Sequence, residues 1–478
     1  MIRNQLSDKR GFTRNFLALS SSSFLLHFVN MFTNMYLARS LGPDEFGFYG
    51  VIITWGSILQ AVASLGIDQV VTRSVARNQE NSRCFFRLSI IVRLIGLVFT
   101  SILFVSYILY TNEINLVFVA LIIINTIAAT IWSTIQCIAF GMRRMESTGY
   151  INVVGATILL LIYLLLPSYL VNVTIIYLLF MIVQVIKDYF YYRQSMKEGI
   201  FTTKENYLID KSAVLSSIRE SVPFYVLVLF GLITSQLPVL FLSGNSSNVE
   251  VAYFNTANKL LIPLSVILTT MFQALFPIFV EEKDKDPEKF SLNVKRTLFI
   301  IITLGIISCV IISLLRNEIV LLIYGREYSN TGMVMLTQSW YIVYFAILTL
   351  YGTLYVVLGK DKLLATLSIT NGFVWAPLLW ITSKDGAVSM SYGFVIGAGI
   401  NVLTNSVALY CADKMLISIK NFLKVNVVMA VGFLLTILIP ENINLLYRCF
   451  LVFLLLLLLI PIYNKYRMLS VSANKAKK

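Results

Sequence analysis

The sequence predicts an all-α polytopic membrane protein with about 14 transmembrane helices. Composition supports this fold class, because 58% of the residues are hydrophobic and only 13% are charged. Soluble domains carry roughly a quarter charged residues. Long apolar stretches also recur along the whole chain, with short polar segments between them. A chain of this kind cannot cover a water-facing surface, so we expect lipid to be its solvent.

The predicted spans are apolar stretches long enough to cross a bilayer as helices. They are residues 14–38, 46–70, 88–110, 116–140, 149–166, 173–192, 222–242, 251–280, 298–315, 333–358, 363–381, 388–410, 425–439 and 446–463. The first span follows a basic head, like a signal peptide. It is too long for one and lacks a small-residue cleavage site, so we expect it to be retained.

The basic residues lie mostly on one side of these spans. Of 38 lysines and arginines, 32 fall on the side of the two termini, Arg93 and Lys187 among them. The opposite side holds four, including Arg316. Retained loops are basic, so the pattern predicts a multi-pass protein of the bacterial cytoplasmic membrane with both termini cytoplasmic. The net charge of +14 is therefore a topology signal, and we expect no nucleic-acid partner.

A long polar stretch near the middle of the chain divides the predicted spans into two groups of six and a final pair. We predict an N-lobe at 1–195 and a cytoplasmic linker at 196–220. A C-lobe follows at 221–412, and 413–478 holds the last two spans and a basic cytoplasmic tail. Such a midpoint linker is typical of transporters with two lobes.

Several enzyme and pump motifs are missing from the sequence. It has no P-loop, so no nucleotide-driven pump resides in this chain. A single histidine excludes HExxH-type metal sites, and the five scattered cysteines form no CxxC pair. The predicted outer loops are short, which argues against a membrane glycosyltransferase or polymerase. We therefore predict no enzyme, no catalytic residue, no metal site and no cofactor.

The first span carries polar side chains on one narrow helical face. The steps of three and four residues from Ser23 to His27, Asn30 and Asn34 place them in register. Polar groups at membrane depth usually face a packed interior or a wet cavity. We predict that His27, Asn30 and Asn34 line a cavity, with interhelical hydrogen bonding as the alternative.

The eighth span has a second polar face, formed by Asn255, Lys259 and Gln273. Lys259 lies about two turns inside the predicted outer boundary. A lysine at that depth needs water or an anion, unless it snorkels to the interface. Arg39 lies at the outer end of the first span. The inner end of the second span carries two further arginines, Arg73 and Arg77.

Tyrosines follow one face of the tenth span. We predict that Tyr341, Tyr344 and Tyr351 stack on sugar rings, because tyrosine offers a flat apolar ring and a hydroxyl donor. Core packing and interfacial placement are the alternatives. Acids are absent from the middle of the spans, apart from Asp68 and Asp188 near inner ends. The predicted cavity is thus polar and cationic, which favours an anionic, sugar-bearing substrate over a lipophilic cation.

Four segments resemble a known family, the Wzx-type polysaccharide (O-antigen or capsule repeat-unit) flippases of the multidrug/oligosaccharidyl-lipid/polysaccharide exporter superfamily. They are LARSLGPDEFGFY at 37–49, GID through RSVAR at 66–77, GMRRME at 141–146 and LIYGREY at 322–328. One departure from this family is Ser235-Gln236-Leu237, where its members often carry an acid or a charged pair.

The resemblance implies two six-helix lobes in a V around a cationic central cavity. It implies transfer of undecaprenyl-pyrophosphate-linked oligosaccharide from the inner to the outer leaflet by alternating access without ATP. On this basis we predict that Lys259, Arg39, Arg73 and Arg77 bind pyrophosphate. Coupling would come from the membrane potential or an H⁺ or Na⁺ gradient, and partners would include the polysaccharide polymerase and chain-length machinery. The alternatives are a multidrug or small-metabolite cation antiporter on the same scaffold and a membrane glycosyltransferase or polymerase.

Overall fold

The computed structural model describes residues 2–111, 115–142, 144, 146–201, 211–413 and 433, and these ranges are helical with short connections. Within them lie α1 (Ile2–Ala63), α2 (Ile67–Arg77), α3 (Ser82–Thr111), α4 (Leu116–Gly141), α5 (Glu146–Leu165), α6 (Val173–Lys197), α7 (Lys211–Ser235), α8 (Leu237–Asn245), α9 (Asn248–Lys285), α10 (Pro287–Ile323), α11 (Thr331–Val357), α12 (Asp361–Thr382) and α13 (Gly386–Ala412). A helix is the expected solution in lipid because it bonds every interior backbone group within its own segment.

The all-α polytopic fold class is confirmed. In the described part of the chain, 9 helical stretches are long and apolar enough to cross a membrane. Most predicted spans coincide with a helix to within a few residues. Helix α10 starts well before predicted span nine, because Asp286 accepts a hydrogen bond from the Lys289 amide and Pro287 suits the first helical position. Predicted spans 425–439 and 446–463 lie almost entirely outside the described residues.

Two predicted spans are broken rather than continuous. The prediction extends span two to residue 70, but the helix ends at Ala63 because Leu65 and Gly66 adopt left-handed conformations with φ of 48° and 70°. Span seven is interrupted at Gln236, where Pro238 enters the first turn of α8 and supplies no amide for a continuing helix. Each break is followed by a short helix, α2 or α8.

The chain forms two compact units. Unit 1 comprises Met1–Lys259 and Ser368–Gly386, and unit 2 comprises Leu260–Leu367 and Ala387–Lys478. The predicted division into lobes at 1–195 and 221–412 stays a prediction.

Helix α2 is central to the core of unit 1. Its apolar face, which includes Ile67, Val71 and Val75, packs with Ile135 and Ile138 of α4. The opposite face carries the exposed arginines. Because it is amphipathic and short, α2 holds its basic side chains at the surface of unit 1 while its backbone stays fixed against the core.

The core of unit 2 is built on α11, most of whose side chains are buried. Trp340 is fully buried, and Gly305 of α10 lies so close to Val343 that a Cβ atom there would be 2.9 Å from the valine methyl groups. Glycine therefore permits close approach of α10 to α11.

Candidate substrate-binding site

Helices α1 and α9 bring two predicted cavity residues together in unit 1. The partly buried His27 ring lies within range of a through-space charge interaction with the Lys259 ammonium. No carboxylate among the described residues pairs with the Lys259 ammonium. A partly buried ammonium without a counter-ion is suited to receiving an anion.

Two glycines of α1 determine how α9 packs on it. A Cβ atom on Gly47 would lie 1.7 Å from the backbone oxygen of Asn248, and one on Gly50 would lie 2.4 Å from Nδ2 of Asn255. The helices can cross this closely because both positions lack a side chain. Asn255 is therefore held against α1, and Lys259 follows one turn later on the same face of α9.

The role of these glycines was not predicted, although Gly47 and Gly50 lie in or beside the LARSLGPDEFGFY segment. Their spacing of three residues places them on one helical face, and small residues at such spacing commonly mark helix contacts. This spacing is the sequence feature from which the helix contact could have been predicted.

The other predicted site residues of α1 bond within their own helix or are exposed. Asn34 donates from Nδ2 to the backbone oxygen of Asn30 at 2.6 Å, within the same helix, and Asn30 itself is exposed. Arg39 is exposed near the break at Gly42. The side chain of Gln273 in α9 lies outside the described residues.

The predicted inner cations lie on the exposed face of α2. Arg73 donates from Nη2 to Oε2 of Glu220 in α7 at 2.9 Å, and Arg77 is exposed one turn further along. The side chains of Arg73 and Glu220 are 47% and 57% exposed, so water reaches both.

An ion pair of a buried arginine fixes α2 against α3. Arg93 lies inside α3, as the predicted span 88–110 requires, with 1% of its surface exposed, and it pairs with the partly exposed Asp68. Its Nε and Nη1 donate to Ser89 and Ser133 at 3.2 and 2.6 Å. A buried guanidinium is stable only when paired and hydrogen-bonded in this way.

Two further basic residues lie inside helices. Lys187 of α6 stands 4.2 Å from the centroid of the Trp132 ring and donates to Oδ1 of Asn152. Arg316 is buried in α10 and donates to the backbone oxygen of Ser313 at 3.1 Å. An aromatic ring, an amide oxygen and a backbone carbonyl inside the helices receive these cations, and the side of the membrane to which each residue was assigned stays a prediction.

The tyrosine face of α11 packs within unit 2. Tyr344 is 8% exposed and lies beside Gly399 of α13, while Tyr351 is 1% exposed and receives a hydrogen bond from Ser406 at 2.9 Å. Tyr341 packs edge-on against Phe394 with ring centroids 5.2 Å apart. These contacts explain the tyrosines as core residues in this conformation, and sugar stacking stays a prediction.

Acidic groups inside the described helices are few, and Asp188 of α6 is a buried acid with an oxygen that forms no hydrogen bond. It is 5% exposed and accepts from Nε2 of Gln184 at 3.0 Å, and its Oδ2 has no partner among the described residues. Within the described ranges, no group of three His, Cys, Asp or Glu side chains could hold a metal ion.

Solved structures with the same fold are membrane transporters. The lipid II flippase MurJ in an inward closed conformation matches with a TM-score of 0.73 and 14% identity, over 95% of this chain and 99% of MurJ. An inward-facing multidrug resistance MATE family transporter of the MOP superfamily matches with a TM-score of 0.61 and 16% identity, over 81% and 96% of the two chains. The bent form of VcmN, a MATE transporter of Vibrio cholerae, matches with a TM-score of 0.53 and 13% identity, over 86% and 99%.

At these identities the structural matches show the fold alone, and no curated protein matches the sequence. Residues 12–283, over half of the chain, match the polysaccharide biosynthesis protein family. The predicted polysaccharide family and the predicted membrane-transporter fold are thereby confirmed. The chain belongs to the polysaccharide biosynthesis protein family.

Proposed function

We propose that this protein is a flippase that moves undecaprenyl-pyrophosphate-linked oligosaccharide from the inner to the outer leaflet of the bacterial cytoplasmic membrane, with both termini cytoplasmic. Lys259 is the observation that carries this proposal. Its ammonium is partly buried, lies within range of a charge interaction with His27, and is neutralised by no described carboxylate. A pyrophosphate group supplies the missing negative charge.

Physical considerations support a lipid-linked anion. An amphiphile with a pyrophosphate and several sugars does not cross hydrocarbon unaided. Moving about two negative charges outward against an inside-negative potential is downhill by roughly 4–5 kcal/mol per 100 mV. The membrane potential is then a sufficient driving force, and no ATP site is required.

A charge series at Lys259 tests the proposal. Lys259→Arg keeps a cation that grips phosphate bidentately, so it should retain substantial transport. Lys259→Ala and Lys259→Glu should reduce transport at least tenfold. Transport is measured as complementation of surface polysaccharide in a flippase-null strain, normalised to protein in the membrane fraction. Full complementation by Lys259→Glu would refute an anion site at this position.

Asp188 favours a second candidate, a cation antiporter on the same scaffold. Its buried carboxylate has an unpaired oxygen, which is what proton exchange within a membrane uses. In that case Asp188→Asn would abolish drug or metabolite efflux, while Lys259→Ala would leave it intact. For the flippase, Asp188→Asn should retain transport wherever the protein folds.

A further inference from the structure

Arg73 is presented on a helix that cannot easily move. The ion pair of Asp68 with Arg93 ties the first turn of α2 to α3. Thr72, next to Arg73, donates to the backbone oxygen of Cys137 in α4 at 3.2 Å. The guanidinium is therefore a cation on a fixed support, and its surroundings decide what it binds.

Helix α7 is held directly against the start of this support. Gly66 has a φ of 70°, and a Cβ atom there would lie 2.5 Å from the backbone nitrogen of Tyr225 and 2.9 Å from the backbone oxygen of Ser221. Only glycine combines this conformation with such close approach. The contact fixes α7 so that Glu220, the residue before Ser221, reaches Arg73.

The Arg73–Glu220 pair has the properties of an exchangeable contact. It is joined by a single hydrogen bond of 2.9 Å, and both side chains are about half exposed. Ion pairs of this type contribute little to stability. The guanidinium also has further N–H groups that bond to no other described residue, and a phosphate could engage two of them at once.

We propose that Glu220 is the resting counter-ion of a pyrophosphate site at Arg73. The carboxylate occupies the guanidinium while no substrate is bound, and the anionic headgroup displaces it. This inference rests on the proposed function, since it assigns the ligand of that same pathway. Glu220 then competes with the headgroup for Arg73. This competition raises the concentration of headgroup that is needed to occupy Arg73, and it excludes lipids with weakly charged headgroups.

A purely structural role for Glu220 predicts the opposite behaviour. If the pair only tied α7 to α2, removal of either partner would loosen the junction and leave pyrophosphate binding equal or weaker. If Glu220 competes with the ligand, removal of its charge should tighten binding. The effect should also require Arg73.

The test measures binding of inorganic pyrophosphate to the full-length protein in detergent micelles by isothermal titration calorimetry. Glu220→Gln should bind at least three-fold more tightly than the wild type, and Arg73→Gln should bind more weakly. In the Arg73→Gln background, Glu220→Gln should give no tightening. Glu281→Gln is the matched control, because Glu281 forms a similarly exposed pair with Lys285 at 2.7 Å. It should leave binding unchanged.

A second arm uses farnesyl pyrophosphate, which carries the same headgroup on a prenyl chain. Its binding should show the same dependence on Glu220. Dependence for inorganic pyrophosphate alone would contradict a lipid-borne ligand and overturn the assignment.

Equal affinity of wild type and Glu220→Gln would also overturn the proposal. So would tightening that persists without Arg73 or appears in Glu281→Gln, since either result would reflect net charge alone. If Glu220→Gln shows no saturable binding of pyrophosphate, Arg73 is not an anion site even without its counter-ion. None of these results decides the flippase function, which depends on the transport of the Lys259 variants.

Discussion

Arg93 and Lys259 are two cations inside the helices of unit 1, and they differ in how their charge is balanced. Arg93 is almost fully buried and bonds to Asp68, Ser89 and Ser133. Lys259 is only partly buried, lies near a histidine and pairs with no described carboxylate. A fully partnered cation stabilises the fold, whereas a cation without a counter-ion is available to a ligand.

The largest effect expected from this comparison is on folding. Arg93→Met should destabilise the protein by about 1–3 kcal/mol, because it removes the hydrogen bonds of a buried guanidinium and leaves the Asp68 carboxylate, which is 40% exposed, without its cation. The double variant Asp68→Asn/Arg93→Met should recover much of that loss. Protein level in the membrane and the apparent melting temperature in detergent measure the effect.

Arg87→Met is the control for Arg93, since Arg87 lies on the exposed face of the same helix. It should change the melting temperature little. Equal losses from Arg87→Met and Arg93→Met would contradict a special role for the buried pair.

Lys259 should show the reverse pattern. Lys259→Met removes a desolvated charge, so stability should stay unchanged or rise by about 1 kcal/mol, while transport falls at least tenfold. The melting temperature in detergent measures stability, and complementation of surface polysaccharide in the flippase-null strain measures transport. If Lys259→Met lowers stability as much as Arg93→Met does, Lys259 also stabilises the fold, and the proposed difference between the two cations is wrong.

A smaller effect is expected where α9 crosses α1. Gly50→Ala places a methyl group on the Asn255 amide, so the amide or this part of α9, which carries Lys259 one turn later, must move. We expect transport to fall several-fold with the protein still present in the membrane. Gly231→Ala in α7 is the control, because a Cβ atom there meets nothing within 4 Å. Equal transport by both variants would show that the close crossing is not needed.

The smallest effect concerns the tyrosines of unit 2. Tyr351→Phe removes the hydrogen bond with Ser406, which should lower stability by about 1 kcal/mol and leave transport unchanged if the residue is core. Tyr344→Phe should be nearly neutral in both assays. Normal stability with reduced transport in either variant would instead support contact with sugar, and this outcome keeps the original stacking prediction open.

Much of the fold could be predicted from the sequence because lipid imposes simple rules. Apolar stretches of sufficient length must be helices, so α3–α6 and α11–α13 were located to within several residues, and α10 was located in its central part. The breaks after Ala63 and at Gln236 were missed, because they depend on local backbone conformations that hydrophobicity does not record.

By itself, the sequence determined the fold class, the family resemblance and the residue types of the candidate site, since these follow from composition, periodicity and motif. Only the tertiary structure decided which polar residues have partners. The sequence shows Lys259 and Arg93 as similar cations in or beside apolar stretches, and it shows Asp68 only as an acid near a span end. Their partners come from other helices, and helix packing through Gly47, Gly50 and Gly66 brings those helices together. Charge balance is a property of contacts between distant segments, which no local pattern contains.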